Sequence, residues 1–184
     1  MALLVGCKKT ERFNHMYPRL RKTLLLVMLA AFAAGCGVYS FTGASIPPEA
    51  ETISVAHFPN DASLVQPQLS DFFTDGLQQK FMQQTNLRMV EGVGDLHFEG
   101  AITDYRTEPI AIGEDDRARM NRLTVSVRVV FLNEYDQDAE FERTFSRYYD
   151  YDSNMSLAQV ENDAIEQITQ ELVEDIFNEA LVNW

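Results

Sequence analysis

The chain has 184 residues and carries 28 acidic against 15 basic side chains, which gives a formal net charge of −13. Such a balance repels the phosphate backbone of nucleic acids and argues against the DNA- and RNA-binding classes. The length remaining after removal of an N-terminal leader suits one domain with a sizeable core.

The first segment, residues 1–35, has the pattern of a secretory signal peptide. A basic patch over residues 19–22 precedes a short apolar run over residues 23–34, and Gly35 and Cys36 follow. A basic flank, an apolar core and a small-residue ending are typical of such a signal. The run is too short for a membrane-spanning helix, which needs about 20 apolar residues. We therefore predict cleavage between Gly35 and Cys36.

The cysteine that ends this signal resembles the lipid-accepting residue of a bacterial lipobox, with Ala33 where Leu is usual. The resemblance implies that Cys36 receives a lipid, typically several acyl chains, and becomes the first mature residue. Several chains give durable membrane attachment. A lipid on Cys36 leaves no intramolecular disulfide, because Cys7 lies in the leader. Met1 and Met16 remain alternative starts, and a buried core helix with a chance cysteine is the alternative to the signal.

The predicted mature chain is more acidic than the precursor. Six of the 15 basic residues and one of the 28 acidic residues lie in 1–35, so residues 36–184 carry a formal charge of −18. Residues 36–51 contain glycines and prolines and predict a lipidated tether. Residues 52–184 are predicted to form a single domain.

The first elements of this domain are a strand and a helix. Residues 53–58 predict a short strand that a turn at 59–61 closes. Residues 67–86 predict a helix with Pro67 in its first position. Gly76 lies on its apolar stripe and predicts a close approach of helix to sheet. The stripe comprises Leu69, Phe72, Phe73, Leu77 and Phe81.

Three further strands follow. Apolar and polar residues alternate over 96–102, over 123–131 and over 141–149, with a turn at 133–138. The polar residues 113–122 predict a long loop or a mobile hairpin tip. Consecutive strands joined by short turns pair antiparallel.

The last helix begins at a capping box made by Ser156 and Gln159. Its apolar stripe packs on the sheet, and its acidic face is predicted to be solvated. The stripe comprises Leu157, Val160, Ala164, Ile168, Leu172, Ile176, Ala180 and Trp184, and the acids are Glu161, Asp163, Glu166, Glu171, Glu174 and Asp175. The order β-α-β-β-β-α predicts an α+β two-layer sandwich, with both helices on one face of a mixed four-stranded sheet.

Several stretches resemble the LptE-type lipopolysaccharide assembly lipoproteins. The resemblance covers most of residues 36–184. It is carried by residues 36–43, 52–55, 83–87, 94–100, 121–125 and 174–178.

The resemblance implies a non-enzymatic protein anchored in the inner leaflet of the outer membrane. It implies an LptD-like β-barrel as partner, which the protein plugs, and lipopolysaccharide as bound cargo. Gly37, rather than the Asp associated with inner-membrane retention, favours the outer membrane. No cofactor is implied besides the covalent lipid.

Binding an anionic lipopolysaccharide requires basic groups in this acidic domain. Arg117, Arg119 and Arg122 are clustered candidates, since Arg binds phosphate bidentately. The alternative is that they are solvated and offset the neighbouring acids at 114–116. Arg143 and Arg147 are a second candidate pair.

The tyrosines Tyr148, Tyr149 and Tyr151 are distinctive, because clustered tyrosine rings often mark a protein interface. We predict a partner interface there. The alternative is an aromatic cluster at the edge of the core, under the last helix.

Two further function classes have weaker support. Asp95, His97 and Glu99 alternate along a strand, but such a set is more often the polar side of a sheet than a metal site, and none is predicted. The chain has no H-E-x-x-H, C-x-x-C or Gly-rich phosphate motif. A generic periplasmic adaptor with another partner and a lipid-anchored hydrolase remain the alternatives. The hydrolase requires a cleft with perturbed titratable groups.

Overall fold

The computed structural model describes residues 46–64, 66–112 and 118–182, which lie in the compact unit Thr42–Trp184. Side chains are described at all of these positions except 111, 112, 118 and 119. The elements in chain order are β1 Thr52–Val55, α1 Leu69–Gln84, β2 Arg88–Met89, β3 Leu96–Ile112, β4 Ala118–Asn133, a 3-10 turn Gln137–Ala139, β5 Phe141–Asp152 and α2 Leu157–Leu181. None of the helices in these ranges has the length and apolarity needed to cross a membrane.

The five strands form one open mixed sheet in the order β2-β1-β3-β4-β5. β1 runs parallel to both of its neighbours, whereas β3, β4 and β5 pair antiparallel as predicted. The α+β class is confirmed, but the predicted number of four strands is wrong because β2 was missed. Two residues are too few to show alternation, and β2 is recognisable by its pairing with β1. The Arg88 N–H donates to the Glu51 carbonyl and the adjoining Val90 N–H to the Ile53 carbonyl, both at 2.9 Å.

The first strand is shorter than predicted. β1 ends at Val55, and residues 59–61 do not form a closing turn. Their backbone continues beside β3: the Ile102 N–H donates to Pro59 and the Asp61 N–H donates to Ile102, both at 2.9 Å. The proline and asparagine are therefore accommodated along a strand edge, where proline is tolerated.

The β3–β4 hairpin is longer than predicted. Its strands extend to Ile112 and from Ala118, so residues 118–122 belong to a strand and not to a loop. A register shift between Ile102 and Asp104 interrupts the alternation in β3. A bulge of this kind moves the following residues out of phase with the preceding ones, which explains why the sequence pattern ended at 102.

The core lies between one sheet face and the two helices. Ile53, Phe98 and Phe131 of the sheet and Phe81 and Ile176 of the helices are fully buried. The ring of Phe98 lies 4.6 Å, centroid to centroid, from both Phe81 and Phe131. The opposite face, which we call the outer face, carries the alternate side chains of β3, β4 and β5.

The first helix starts later than predicted, at Leu69 rather than Pro67. The Gln66 side-chain carbonyl accepts a hydrogen bond from the Leu69 N–H at 3.1 Å and so satisfies the first N–H of the helix. The apolar stripe is confirmed except at Phe72, which is 46% exposed. Gly76 faces α2 and not the sheet: a Cβ there would lie 3.5 Å from Thr169 Cγ2.

The second helix confirms its predicted start and stripe. The capping box is present, and the Ser156 N–H donates to Gln159 Oε1 at 2.8 Å. The stripe is buried from Val160 to Ala180, Leu157 is half-buried, and Trp184 lies outside the described residues. The prediction that its acidic face is only solvated is wrong, because several of its carboxylates pair with groups of α1, β3 and β5.

Candidate functional site on the outer face of the sheet

Arg122 is fixed on the outer face by two neighbours on β5. Its Nε and Nη2 donate to the two carboxylate oxygens of Asp150, at 2.7 and 2.8 Å. Its guanidinium carbon lies 3.6 Å from the ring centroid of Tyr148. The pairing of Arg122 with Asp150 across β4 and β5 makes both contacts possible. A bidentate ion pair beneath a stacked ring holds the guanidinium in one orientation.

This contact changes the protonation equilibrium of both partners. The hydrogen bonds from Arg122 hold the pKa of Asp150 below its ordinary value. The hydrogen bonds to Asp150 raise the pKa of Arg122. Each charged form is stabilised by its partner, so the pair remains ionised over the physiological pH range.

The rest of the outer face repeats this pairing of opposite charges. Arg106 contacts both Asp104 and Glu108 on β3. Arg128 donates to Glu142 across β4 and β5, at 3.1 Å. Between these rows, the hydroxyls of Ser126 and Ser146 lie 3.0 Å apart. The outer face is therefore polar, with its arginines matched by carboxylates.

The other two candidate arginines lie on the helix side of β5. Arg147 donates from Nε and Nη2 to the carboxylate of Asp175, both at 2.6 Å, and this raises the pKa of Arg147. Arg143 lies 2.5 Å from Glu179. Both side chains therefore connect β5 to α2.

The three predicted interface tyrosines divide between two environments. Tyr148 is 50% exposed and lies on the outer face over Arg122. Tyr149 is half-buried against the core, and Tyr151 is 5% exposed and belongs to the core. Alternation along β5 separates Tyr148 from the other two.

Four predicted site residues have no described side chain. Gly35, Cys36 and Arg117 lie outside the described residues, and Arg119 lies on β4 without a described side chain. Their predicted roles remain predictions.

Of the residues considered for a metal site, His97 and Glu99 contact each other, with His97 Nε2 3.6 Å from Glu99 Oε2, whereas Asp95 bonds elsewhere. Asp95 accepts the N–H groups of Glu51 and Thr52, each at 2.8 Å, and these bonds lower its pKa. His97 is buried, with Nδ1 2.7 Å from the Ser54 hydroxyl. Across residues 46–64, 66–112 and 118–182, no three acidic, histidine or cysteine side chains converge as metal ligands would.

A groove of about 520 Å³ lies between the two helices. Its walls include Phe72 and Gly76 of α1 and Val173 of α2. Asp95 and Asp150, the described carboxyl groups whose pKa is lowered, both lie away from it. The groove therefore gives no specific support to a hydrolase.

One connection was missed by the sequence reasoning. The buried Tyr105 donates its hydroxyl to Glu161 at 2.5 Å and joins β3 to the second turn of α2. Burial is the main cause that raises the pKa of Tyr105, and the bond to Glu161 adds to it. A tyrosine three residues after the predicted strand end was the available signal, but the bulge after Ile102 hid which face of the sheet Tyr105 occupies.

We expect Asp150→Asn to lower the free energy of unfolding by about 1 kcal/mol near neutral pH. Because the folded pKa of Asp150 is lowered, its contribution is present above the unfolded pKa of about 4 and is lost as the pH falls through the folded value. Urea unfolding of both proteins at about pH 6 and at about pH 3 checks this, and the difference between them should shrink in acid.

Glu142→Gln is the matched control, since Glu142 forms a single contact with Arg128 and its side chain is 61% exposed. We expect a change below about 0.5 kcal/mol. A loss for Asp150→Asn that is independent of pH would show that the ion pair is not its cause.

Comparison with known proteins places this arrangement in a family. Residues 50–180 match the family described as LptE: Lipopolysaccharide-assembly. Among curated proteins, none matches the chain.

Three solved structures are similar to the chain at low sequence identity. Lipoprotein B from Nitrosomonas europaea is 15% identical, with a TM-score of 0.46 over 72% of this chain and 82% of that one. A minor lipoprotein from Acinetobacter baumannii is 10% identical, with a TM-score of 0.49 over 73% and 92%. The rare lipoprotein B from Shewanella oneidensis is 8% identical, with a TM-score of 0.41 over 69% and 89%. The family match spans both helices and all five strands, and by it the chain belongs to the LptE lipopolysaccharide-assembly family.

Proposed function

We propose that this protein is an outer-membrane lipoprotein that assembles lipopolysaccharide together with an LptD-like β-barrel, and that it catalyses no covalent reaction. The observation that carries the proposal is the family match over residues 50–180. The protein faces the periplasm and is held by lipid on Cys36.

The proposed organisation follows from the sequence at the N-terminus. Residues 1–35 are removed as a signal peptide, residues 36–51 form the lipidated tether, and residues 52–184 form the domain. Labelling with a fatty-acid analogue tests this: the wild type should incorporate the label and Cys36→Ser should not. Equal labelling of both would refute lipidation at Cys36.

The outer face supports the proposed role as a plug. The lumen of a large membrane barrel is polar and filled with water. A face on which arginines and carboxylates are already paired brings no unpaired charge against such a wall. Tyr148 is the exposed ring on this face and is the proposed contact of the tyrosine cluster, with Tyr149 and Tyr151 behind it supporting β5.

Co-purification tests the partner. A tagged chain is isolated from detergent-solubilised outer membranes, and the proteins that remain bound are identified by mass spectrometry. An LptD-like barrel in stoichiometric amount supports the proposal. A different, periplasmic protein in that position would instead favour a generic adaptor.

We expect the triple variant of Arg117, Arg119 and Arg122 to Ala to bind lipopolysaccharide about tenfold more weakly, a loss of about 1.4 kcal/mol. Phosphate oxygens accept bidentate bonds from arginine, and a phosphate at Arg122 would compete with Asp150 for the same donors. Titration of the purified protein with lipopolysaccharide measures the change.

Arg128→Ala is the matched control, because Arg128 lies on the same face of β4 but nearer its C-terminal end. We expect its affinity to equal that of the wild type. Unchanged binding by the triple variant would refute the arginine site while leaving the barrel partnership open.

A further inference from the structure

The strand β5 is an edge strand of the sheet. Within the described ranges it pairs with β4 alone. Its 12 residues pair in unbroken register, from Phe131 opposite Phe141 to Met120 opposite Asp152. The neighbouring β3–β4 pair, by contrast, has three register shifts. β5 therefore presents a long and regular edge.

The hydrogen bonds at the other side of the sheet show which β5 groups point outwards. The Phe98 carbonyl accepts from Ala56, and Ile102 bonds with residues 59 and 61, so the even-numbered residues of this part of β3 face β1. Backbone groups alternate in direction along a strand. The odd-numbered residues of this part of β3 therefore face β4, and the registers of β3 with β4 and of β4 with β5 carry the alternation across the sheet. As a result, five even-numbered residues of β5 direct their N–H and C=O groups away from β4: Glu142, Thr144, Ser146, Tyr148 and Asp150.

This edge lacks three of the usual protections against pairing: proline, lysine and a bulge. Natural edges carry proline, lysine or a bulge, or are short, and residues 141–152 contain no proline or lysine and no bulge. Arg143 and Arg147 are the long basic side chains of β5, and their ion pairs with Glu179 and Asp175 draw them towards α2. They line the helix side of the edge with their charges already paired, and they do not extend across the outward N–H and C=O groups of β5.

A groove runs along the edge on the helix side. It has a volume of about 580 Å³ between β5 and the C-terminal half of α2. Phe145 and Val182 supply its apolar walls, and the rest of the lining is polar. The charged part of that lining is paired: Arg143 with Glu179, and Arg147 with Asp175. A strand added to β5 would direct every second side chain towards this groove.

The charge around the edge selects against a second copy and for a basic occupant. Helix α2 carries seven acidic residues and no lysine or arginine. The outward half of β5 adds Glu142, Asp150 and Asp152. Two copies of a chain with a net charge of −13 would bring these carboxylates together.

We propose that the free edge of β5 accepts an extended segment of a different protein as a sixth strand, with apolar side chains alternating with lysine or arginine. The backbone of Thr144, Ser146 and Tyr148 supplies the central hydrogen bonds. The apolar side chains lie in the groove beside Phe145, and the basic ones lie on the outer-face side near Asp152, beside the ion pairs of Glu142 and Asp150. The edge adjoins Arg122, whose partners Asp150 and Tyr148 lie on β5, but the proposed strand bonds to the backbone of β5 and not to the proposed lipopolysaccharide arginines.

The test uses the full chain in detergent and a capped peptide of alternating valine and lysine as the probe. We expect the peptide to slow amide hydrogen exchange at Thr144, Ser146 and Tyr148. It should bind at least tenfold more tightly than a capped peptide of alternating valine and glutamate. Thr144→Pro removes one outward N–H and should weaken binding at least tenfold, whereas Thr144→Val keeps the N–H and should bind as the wild type does.

Thr144→Lys provides a second test in case the proline variant misfolds. It keeps the backbone N–H, and its positive charge repels a basic strand. It too should bind the probe at least tenfold more weakly. Unchanged exchange on adding the peptide, equal binding of the acidic peptide, or full binding by both Thr144→Pro and Thr144→Lys would overturn the proposal. So would dimerisation of the chain alone with protection of these amides, since that would identify a second copy as the occupant.

Discussion

Phe98→Ala is expected to lower the free energy of unfolding by about 3 to 5 kcal/mol, the range for large-to-small substitution of buried aromatic residues. Phe98 is fully buried, and its ring is stacked at 4.6 Å between Phe81 of α1 and Phe131 of β4. Its removal leaves a cavity where helix and sheet meet, and also removes two ring contacts of about 0.5 to 1.5 kcal/mol each. Urea unfolding followed by circular dichroism measures the loss.

Phe72→Ala is the matched control for Phe98, because the same side chain is 46% exposed at that position. We expect a change of about 0.5 kcal/mol or less. Domains of this size are stable by only about 5 to 15 kcal/mol, so Phe98→Ala should approach the threshold of unfolding. Similar losses for the two variants would contradict the position assigned to the ring stack.

Gly100→Ala is expected to lower the free energy of unfolding by about 3 kcal/mol or more, although it adds only one methyl group. An added Cβ would lie 2.0 Å from the Arg128 carbonyl oxygen and 2.7 Å from Phe58 Cε1. The carbonyl belongs to the backbone of β4, so no rotamer change relieves the contact. The strands must separate locally, and the same unfolding experiment should show the loss.

Gly76→Ala is the control for a glycine without such a contact. Its new Cβ would meet Thr169 Cγ2 at 3.5 Å and Val173 Cγ2 at 3.7 Å, which are ordinary packing distances. Alanine is favoured over glycine inside a helix by about 1 kcal/mol, so this variant should be more stable than the wild type. A stabilising Gly100→Ala or a strongly destabilising Gly76→Ala would contradict these packing arrangements.

The sequence patterns predicted those helices and strands in which buried side chains recur at a regular spacing. The capping box at Ser156 and the stripe from Val160 identified α2, and alternation identified β4 and β5. Alternation failed at the bulge after Ile102, where the extra residue shifts the phase. It also failed at β2, which exists because β1 offers hydrogen bonds and not because of its own two residues.

The partners within the candidate site depended on strand register, which the sequence does not display. Arg122 and Asp150 are 28 residues apart and meet only because β4 and β5 pair in one alignment. Arg147 meets Asp175 because α2 packs over β5 with Asp175 beside Arg147. Arginine clustering was visible in the sequence, but the acid that each arginine contacts was not.

The carboxylate of Asp95 would have a mechanical role under the proposed lipid tether. It accepts the N–H groups of Glu51 and Thr52 at the start of β1. Tension on the tether would pull along β1, whose parallel neighbours on both sides would be loaded in shear. Hydrogen bonds loaded in shear must break together rather than one after another. A pull on the proposed tether would therefore load β1 along its length, and resistance to it would depend on the rate of unfolding more than on equilibrium stability.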